Sequence, residues 1–170
     1  MSFLTHLECS YTGNEYEAGK PHNLSEAGKP LLARYDLDAI KGAITKDELA
    51  KRDEGFWRYR EFLPVAKPEN RVSLGEVVTP LIPFKKMARK EGHKGELIVK
   101  DEGRLPTGSF KARGLCLAVS MAKEFALKHL AMPTNGNAGA ALAAYASAAD
   151  MRTTVFCPDD TPRVNIEEIA

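Results

Sequence analysis

The sequence predicts an α/β protein in which parallel strands are covered by helices. From residue 96 onward, short β-rich runs alternate with longer helical patterns. The joins between them are short and carry proline and glycine. One of the helices is almost pure alanine, so its neighbours can approach closely. Alternation with short connections is the pattern of a parallel sheet with helices on its faces.

The elements follow in order. Residues 96–100, Glu-Leu-Ile-Val-Lys, read as a strand, and residues 101–108 are turn-forming. A helix is expected from Ser109 to about Ala126. His129-Leu130-Ala131-Met132-Pro133 reads as a second strand, followed by the alanine-rich helix from about Gly136 to Ala149 with Leu142 and Tyr145 on it. Residues 152–157 read as a third strand. Thr161-Pro162 opens a further helix, with proline in its first turn. That helix carries Val164, Ile166 and Ile169 and shows no stop signal. Three parallel strands are few for a sheet with both faces to cover. The sequence therefore suggests a fragment, or one half of a split protein.

Upstream, the patterns are weaker. Residues 1–33 are glycine-rich and polar and read as turns with short extended pieces. Cys9 stands in the frame Cys9-Ser10-Tyr11-Thr12-Gly13. The other places of a four-ligand zinc site in this frame are Thr12, Leu24 and Ala27. A tetrahedral zinc needs about four N, S or O ligands, so no metal is expected. Thr45-Lys46-Asp47-Glu48 is a capping box that opens a helix. Phe56, Trp57, Tyr59, Phe62 and Leu63 are expected to form an aromatic packing face before Pro64 ends the helix. Residues 64–70 read as a linker. Thr79 is expected to be extended because it precedes Pro80.

Bulk composition excludes several function classes. The chain has 170 residues, 44% apolar residues and a net charge of +1. It gives no electrostatic reason to expect nucleic acid or an anionic membrane as partner. Its apolar stretches are shorter than the ~20 residues that span a bilayer. Residues 1–8 lack the basic and apolar regions of a signal peptide. Three scattered cysteines, Cys9, Cys116 and Cys157, fit a reducing cytoplasm, with Cys116 and Cys157 expected to be buried thiols.

Two loops carry the candidate chemistry. Lys111 lies in the first helical turn after a strand and a turn. A lysine is a covalent catalyst for carbonyl groups only when part of it is neutral. Burial and the positive end of a helix dipole both favour the neutral amine, hence a Schiff base. On spacing alone, the commoner reading is a solvated lysine on an outer face. Residues 134–139, Thr-Asn-Gly-Asn-Ala-Gly, enter a helix directly from a strand. Free N–H groups there form an anion site, and glycines admit a ligand to the backbone. An N-capped helix with two permissive glycines fits the same residues. The loop is not the dinucleotide fingerprint, whose third glycine is missing.

At this point the residues carry a resemblance. Pro106-Thr107-Gly108-Ser109-Phe110-Lys111-Ala112-Arg113-Gly114 closely resembles the lysine motif of threonine synthases, within the fold-type II pyridoxal-phosphate enzymes. Gly75-Glu76, Thr79-Pro80-Leu81, Lys100-Asp101-Glu102, Gly136-Asn137 and Tyr145-Ala146 agree with it. Tyr35-Asp36-Leu37, Trp57-Arg58-Tyr59 and Leu63-Pro64-Val65 resemble the N-terminal extension of threonine and cysteate synthases. The resemblance implies part of a tryptophan synthase β-like three-layer sandwich. It divides the chain into a degenerate, metal-free zinc-ribbon-like segment (1–33), a helical extension (34–75) and the N-terminal part of the catalytic domain (76–170).

By the same resemblance, pyridoxal 5′-phosphate is the cofactor. Lys111 would hold it and shuttle protons, and Asn137 would bond its 3′-hydroxyl. Thr134, Asn135, Gly136 and Ala138 would bind the α-carboxylate of an amino-acid substrate. The implied reaction turns O-phosphohomoserine and water into threonine and phosphate. A homo-oligomer, or a separate C-terminal half, would be the implied partner. Val77 departs from the family's usual glycine, and Asn135 from its serine or threonine. The family's phosphate loop has no counterpart before Ala170, so weak or absent cofactor binding is expected of this chain alone. Cysteate synthase, threonine dehydratase and a non-catalytic remnant or binding module are the alternative readings.

Overall fold

The computed structural model describes residues 2–53 and 55–170. The N-terminal segment is a three-stranded antiparallel sheet of β1 (Leu4–Cys9), β2 (Glu15–Glu17) and β3 (Leu31–Tyr35), in the order β2-β1-β3. β1 sits in the middle, with His6 opposite both Glu17 and Arg34. Cys9 is buried here. Its Sγ donates to Ser25 Oγ at 3.1 Å and accepts from Thr12 N–H at 3.4 Å. Among the described residues, no group of three or more His, Cys, Asp or Glu side chains is placed to hold a metal ion.

Short helices follow. α1 (Leu37–Ala43) is capped by the Asp36 carboxylate, which accepts from Ala39 N–H at 2.8 Å. α2 (Lys46–Ala50) opens with the capping box: Thr45 Oγ1 accepts from Glu48 N–H, and Glu48 accepts from Thr45 N–H. The two reciprocal bonds satisfy N–H groups that a helix start leaves free. α2 ends at Ala50, and the aromatic run forms a separate 3-10 helix, Phe56–Phe62. Tyr59 leaves helical dihedrals (φ −97°, ψ 26°), and this kink divides the expected aromatic face. Phe56 and Trp57 pack on the core, whereas Tyr59 and Phe62 turn outward.

β4 (Leu81–Pro83) and β5 (Ile98–Lys100) pair antiparallel across α3 (Lys85–Lys90). Then come α4 (Lys111–Glu124), β6 (His129–Pro133), α5 (Asn137–Ala148), β7 (Arg152–Phe156) and α6 (Arg163–Ile169). β6 and β7 form the parallel pair, in register from His129 opposite Arg152 to Pro133 opposite Phe156. The three-residue β5 pairs with β4 instead of joining them. The result is a mixed α/β arrangement whose parallel element is the β6-α5-β7 unit. Among the described residues, no helix is long and apolar enough to cross a membrane.

The core lies between α4 and α5. Ala112, Cys116 and Val119 of α4 meet Ala141, Leu142, Tyr145 and Ala146 of α5, with Val72 and Leu105 completing the cluster. Alanines on α5 bring the two backbones close, as the sequence implied. Ser120 fastens the preceding chain to α4. Its hydroxyl accepts from Val72 N–H at 2.9 Å and donates to Cys116 O at 2.7 Å. Cys116 Sγ in turn donates to Val72 O at 3.2 Å. α5 also packs on β6, β7, α6 and the turn Pro106–Gly108. The turn Pro106–Gly108 thus lies against both α4 and α5.

Candidate active site

Lys111 is the first residue of α4 and its side chain is exposed. Its Nζ lies 4.8 Å from the centroid of the Phe110 ring, a cation–π contact worth about 0.5–1 kcal/mol at such a site. The burial invoked for this lysine is not supplied by these residues. The turn ahead of it is strained. Thr107 (φ +60°) and Gly108 (φ +64°) lie in succession in the left-handed region. A β-branched residue there is an outlier, at a cost on the order of 1–3 kcal/mol. Thr107 Oγ1 and Ser109 Oγ are both buried without a hydrogen-bond partner among the described residues.

A charged clamp holds the first turn of α4 in place. Arg113 donates from Nε to Glu102 Oε2 at 2.6 Å and from Nη2 to Glu102 Oε1 at 3.0 Å. Thr79 Oγ1 donates to Glu102 Oε1 at 2.6 Å, and Lys100 Nζ donates to Thr79. The Arg113 hydrogen bond, aided by Thr79, holds the Glu102 carboxyl down to about 2 against the cost of its partial burial. The clamp therefore joins the entry of β4, the end of β5 and the helix bearing Lys111.

The second loop runs from β6 into α5. Thr134 and Asn135 open onto a groove of about 420 Å3, with Phe156 and Cys157 on its other side. Cys157 is accordingly half-buried, not enclosed as expected. Asn137 is the first residue of α5 and is exposed, and Ala138 is half-buried. Their N–H groups belong to the first turn, which lacks intrahelical acceptors. Gly136 N–H is bonded internally to Thr134 Oγ1 at 3.3 Å, and Asn135 O accepts from Asn165 Nδ2 at 2.8 Å. Gly139 lies at a close approach of side chains. A Cβ there would lie 2.7 Å from Ile169 Cδ1 and 2.9 Å from Thr134 Cγ2.

Farther along α5, the Tyr145 hydroxyl donates to Glu76 Oε1 at 2.5 Å, with both residues buried. Ser73 Oγ and Leu74 N–H complete the Glu76 carboxylate's partners. Burial, then the bond to Glu76, pushes the Tyr145 phenol far above its usual range. Glu102, Arg113, Glu76 and Tyr145 all lie in the motif stretches quoted above, but their pairing, Glu102 with Arg113 and Glu76 with Tyr145, was not read from the sequence. The available signal was an arginine two residues beyond Lys111 and a lone tyrosine in an alanine helix.

Residues 72–170 match the family described as pyridoxal-phosphate-dependent enzymes. The chain belongs to this family. This member of the pyridoxal-phosphate family is 37% identical over 151 residues to a threonine synthase of Methanocaldococcus jannaschii, covering 89% of the chain and 37% of that protein. It is 36% identical over 156 residues to a threonine synthase of Methanosarcina acetivorans, covering 91% of the chain and 37% of that protein. Over 101 residues it is 45% identical to a threonine synthase of Synechocystis sp., covering 59% of the chain and 26% of that protein. The chain thus spans between about a quarter and little more than a third of the length of these relatives. Among solved structures, a pyridoxal 5′-phosphate-dependent aspartate racemase aligns with TM-score 0.51 and 31% identity, over 55% of this chain and 30% of that one. Diaminopropionate ammonia lyase from Escherichia coli aligns with TM-score 0.52 and 22% identity, over 57% of this chain and 30% of that one. These neighbours identify the fold as part of the fold-type II arrangement.

The residues present fit pyridoxal phosphate, the cofactor of the family. Lys111 is accessible, and two buried hydroxyls beside it, on Thr107 and Ser109, lack polar partners. The start of α5 supplies an accessible amide at Asn137.

Proposed function

We propose that the chain is the N-terminal part of a threonine synthase that converts O-phosphohomoserine and water into threonine and phosphate. The observation that carries this reading is the placement of Lys111 at the start of α4, with the 134–138 loop at the start of the neighbouring α5. The names of the relatives support it. In this reading, Lys111 Nζ holds the cofactor and moves protons. Asn137 holds the ring hydroxyl. Thr134, Asn135, Gly136 and Ala138 hold the substrate carboxylate, mainly through backbone N–H groups. Gly136 must then exchange its internal bond to Thr134 for the ligand. When bound, the cofactor's pyridinium ring acts as electron sink, and the protein supplies position and a proton carrier. Glu102 and Arg113 hold the Lys111 turn in register.

The proposal includes the division into segments 1–33, 34–75 and 76–170, a cytoplasmic setting, and completion of the site by a C-terminal half or a second copy. The exposure of Lys111 and Asn137 supports weak cofactor binding and no turnover by these 170 residues alone. The test is absorbance titration with pyridoxal phosphate of the full-length reading frame and of the present chain. The full-length protein is expected to show a lysine-bound cofactor band that Lys111→Ala abolishes. An unchanged band in that variant refutes the role of Lys111. Tight stoichiometric binding by the present chain refutes the incompleteness. Phosphate release from O-phosphohomoserine separates this reading from cysteate synthase and threonine dehydratase.

A further inference from the structure

A second site lies on the N-terminal side of the core. A pocket of about 540 Å3 has Arg52, Arg58, Arg60 and Arg71 among its lining residues, together with Phe56 and Trp57. None of Lys111, Thr134, Asn135, Gly136, Asn137 or Ala138 lines it, so it goes beyond the reading given above.

Among the described residues, basic side chains around this pocket outnumber acidic ones. Glu61 is committed to Arg52 through two bonds, at 2.7 and 2.8 Å, and lies 3.5 Å from Arg60. Glu76 is committed to Tyr145, Ser73 and the Leu74 N–H. Asp53, also on the rim, is exposed. Among the described residues, neither Arg58 nor Arg71 forms an ion pair. Arg58 places Nη2 on Leu49 O at 2.8 Å, but its Nε is buried without a partner. Arg71 has both Nε and Nη2 buried without partners, and its guanidinium stands 5.8 Å from the Trp57 ring centroid. A buried donor left unmade is costly, more so on a charged group. These three atoms are themselves closed to solvent, so it is the unneutralised charge of Arg58 and Arg71, in a pocket whose described lining holds more basic than acidic side chains, that marks a place for an anion. A fork of N–H groups from more than one arginine matches the several oxygens of a phosphoryl group.

We propose that this pocket binds a phosphoryl-bearing small molecule, with its phosphate held by Arg58 and Arg71 and its remaining part against Phe56 and Trp57. Trp57 is the single tryptophan of the chain and reports on occupancy directly.

The experiment titrates the 170-residue chain with inorganic phosphate and with pyrophosphate, against sodium chloride of matched ionic strength. Trp57 fluorescence and the arginine Nε–H resonances are followed. Saturable changes are expected with the phosphates alone, and the shifted resonances are expected to be those of Arg58 and Arg71. Arg71→Gln should weaken binding at least tenfold. Arg71→Lys, which keeps the charge without the fork, should fall between. Arg163→Gln, on exposed α6, should bind as the unaltered chain does. A response equal to that of chloride, resonance shifts confined to other arginines, or unweakened binding by Arg71→Gln overturns the proposal. The resonance arm uses the unaltered chain, so it decides the matter even where a variant fails to fold.

Discussion

Replacing Glu102 with glutamine tests whether the clamp stabilises the start of α4. The carboxylate receives two charge-assisted bonds from Arg113 and one from Thr79. Glutamine keeps one acceptor oxygen and turns an amide donor toward a guanidinium donor. Hydrogen bonds to charged groups contribute about 1.5–3 kcal/mol. The Glu102 side chain is 23% exposed, so water recovers part of the loss. The expected destabilisation is about 2 kcal/mol at neutral pH, or about 4–8 °C in Tm for a chain of this size. Acidity supplies a second signature. The carboxyl's pKa is lowered in the folded state, to about 2, from an ordinary glutamate value of ~4.3. Its contribution is therefore complete above the unfolded value and disappears as pH falls through the folded one. Urea unfolding at several pH values should show the gap between the two proteins closing from about pH 4.5 down to about 2. Equal stability at neutral pH, or a gap that does not close with acid, refutes the reasoning.

Two further outcomes follow from the same packing. Tyr145→Phe removes a 2.5 Å bond to the buried Glu76 and should cost about 1.5–3 kcal/mol; an unchanged urea midpoint would contradict that. Under native conditions a thiol reagent should label Cys157 quickly and Cys9 and Cys116 only on unfolding, because the latter two are buried. Cys9 is the sharper case. As a thiolate it would accept from the Ser25 hydroxyl as well as from Thr12 N–H, which pulls its pKa down to about 6, yet only 1% of the residue is exposed. Rapid native labelling of Cys9 would show that this enclosure opens.

The parts of the fold legible in the sequence are those announced by local chemistry. Pro133, Gly136 and the Thr45–Glu48 box mark element ends through backbone constraints that act over a few residues. α4, β6, α5 and β7 accordingly fall within a few residues of their expected bounds. The N-terminal sheet was read only as turns and short pieces, because β1 finds β3 some 25 residues away and no local pattern records such pairing. α1 and α3 are too short for helical periodicity to show. At the site, motif residues named Lys111 and Asn137, but their exposure depends on tertiary placement. The clamp at Glu102 was hidden for the same reason: its partners Thr79, Lys100 and Arg113 come from three separate stretches.

The contact of Gly139 with Ile169 also has a consequence for how this sequence can drift. An alanine at residue 139 would place a methyl against both Ile169 and Thr134, in the segment that carries the proposed carboxylate loop. Shortening residue 169 first removes the closest of those contacts. The order of substitutions therefore matters: 169 before 139 follows a smoother path than the reverse. Among relatives, a bulkier residue at 139 should accompany a smaller one at 169. The two positions are thirty residues apart in the chain, but this contact couples the side chains that each can accept.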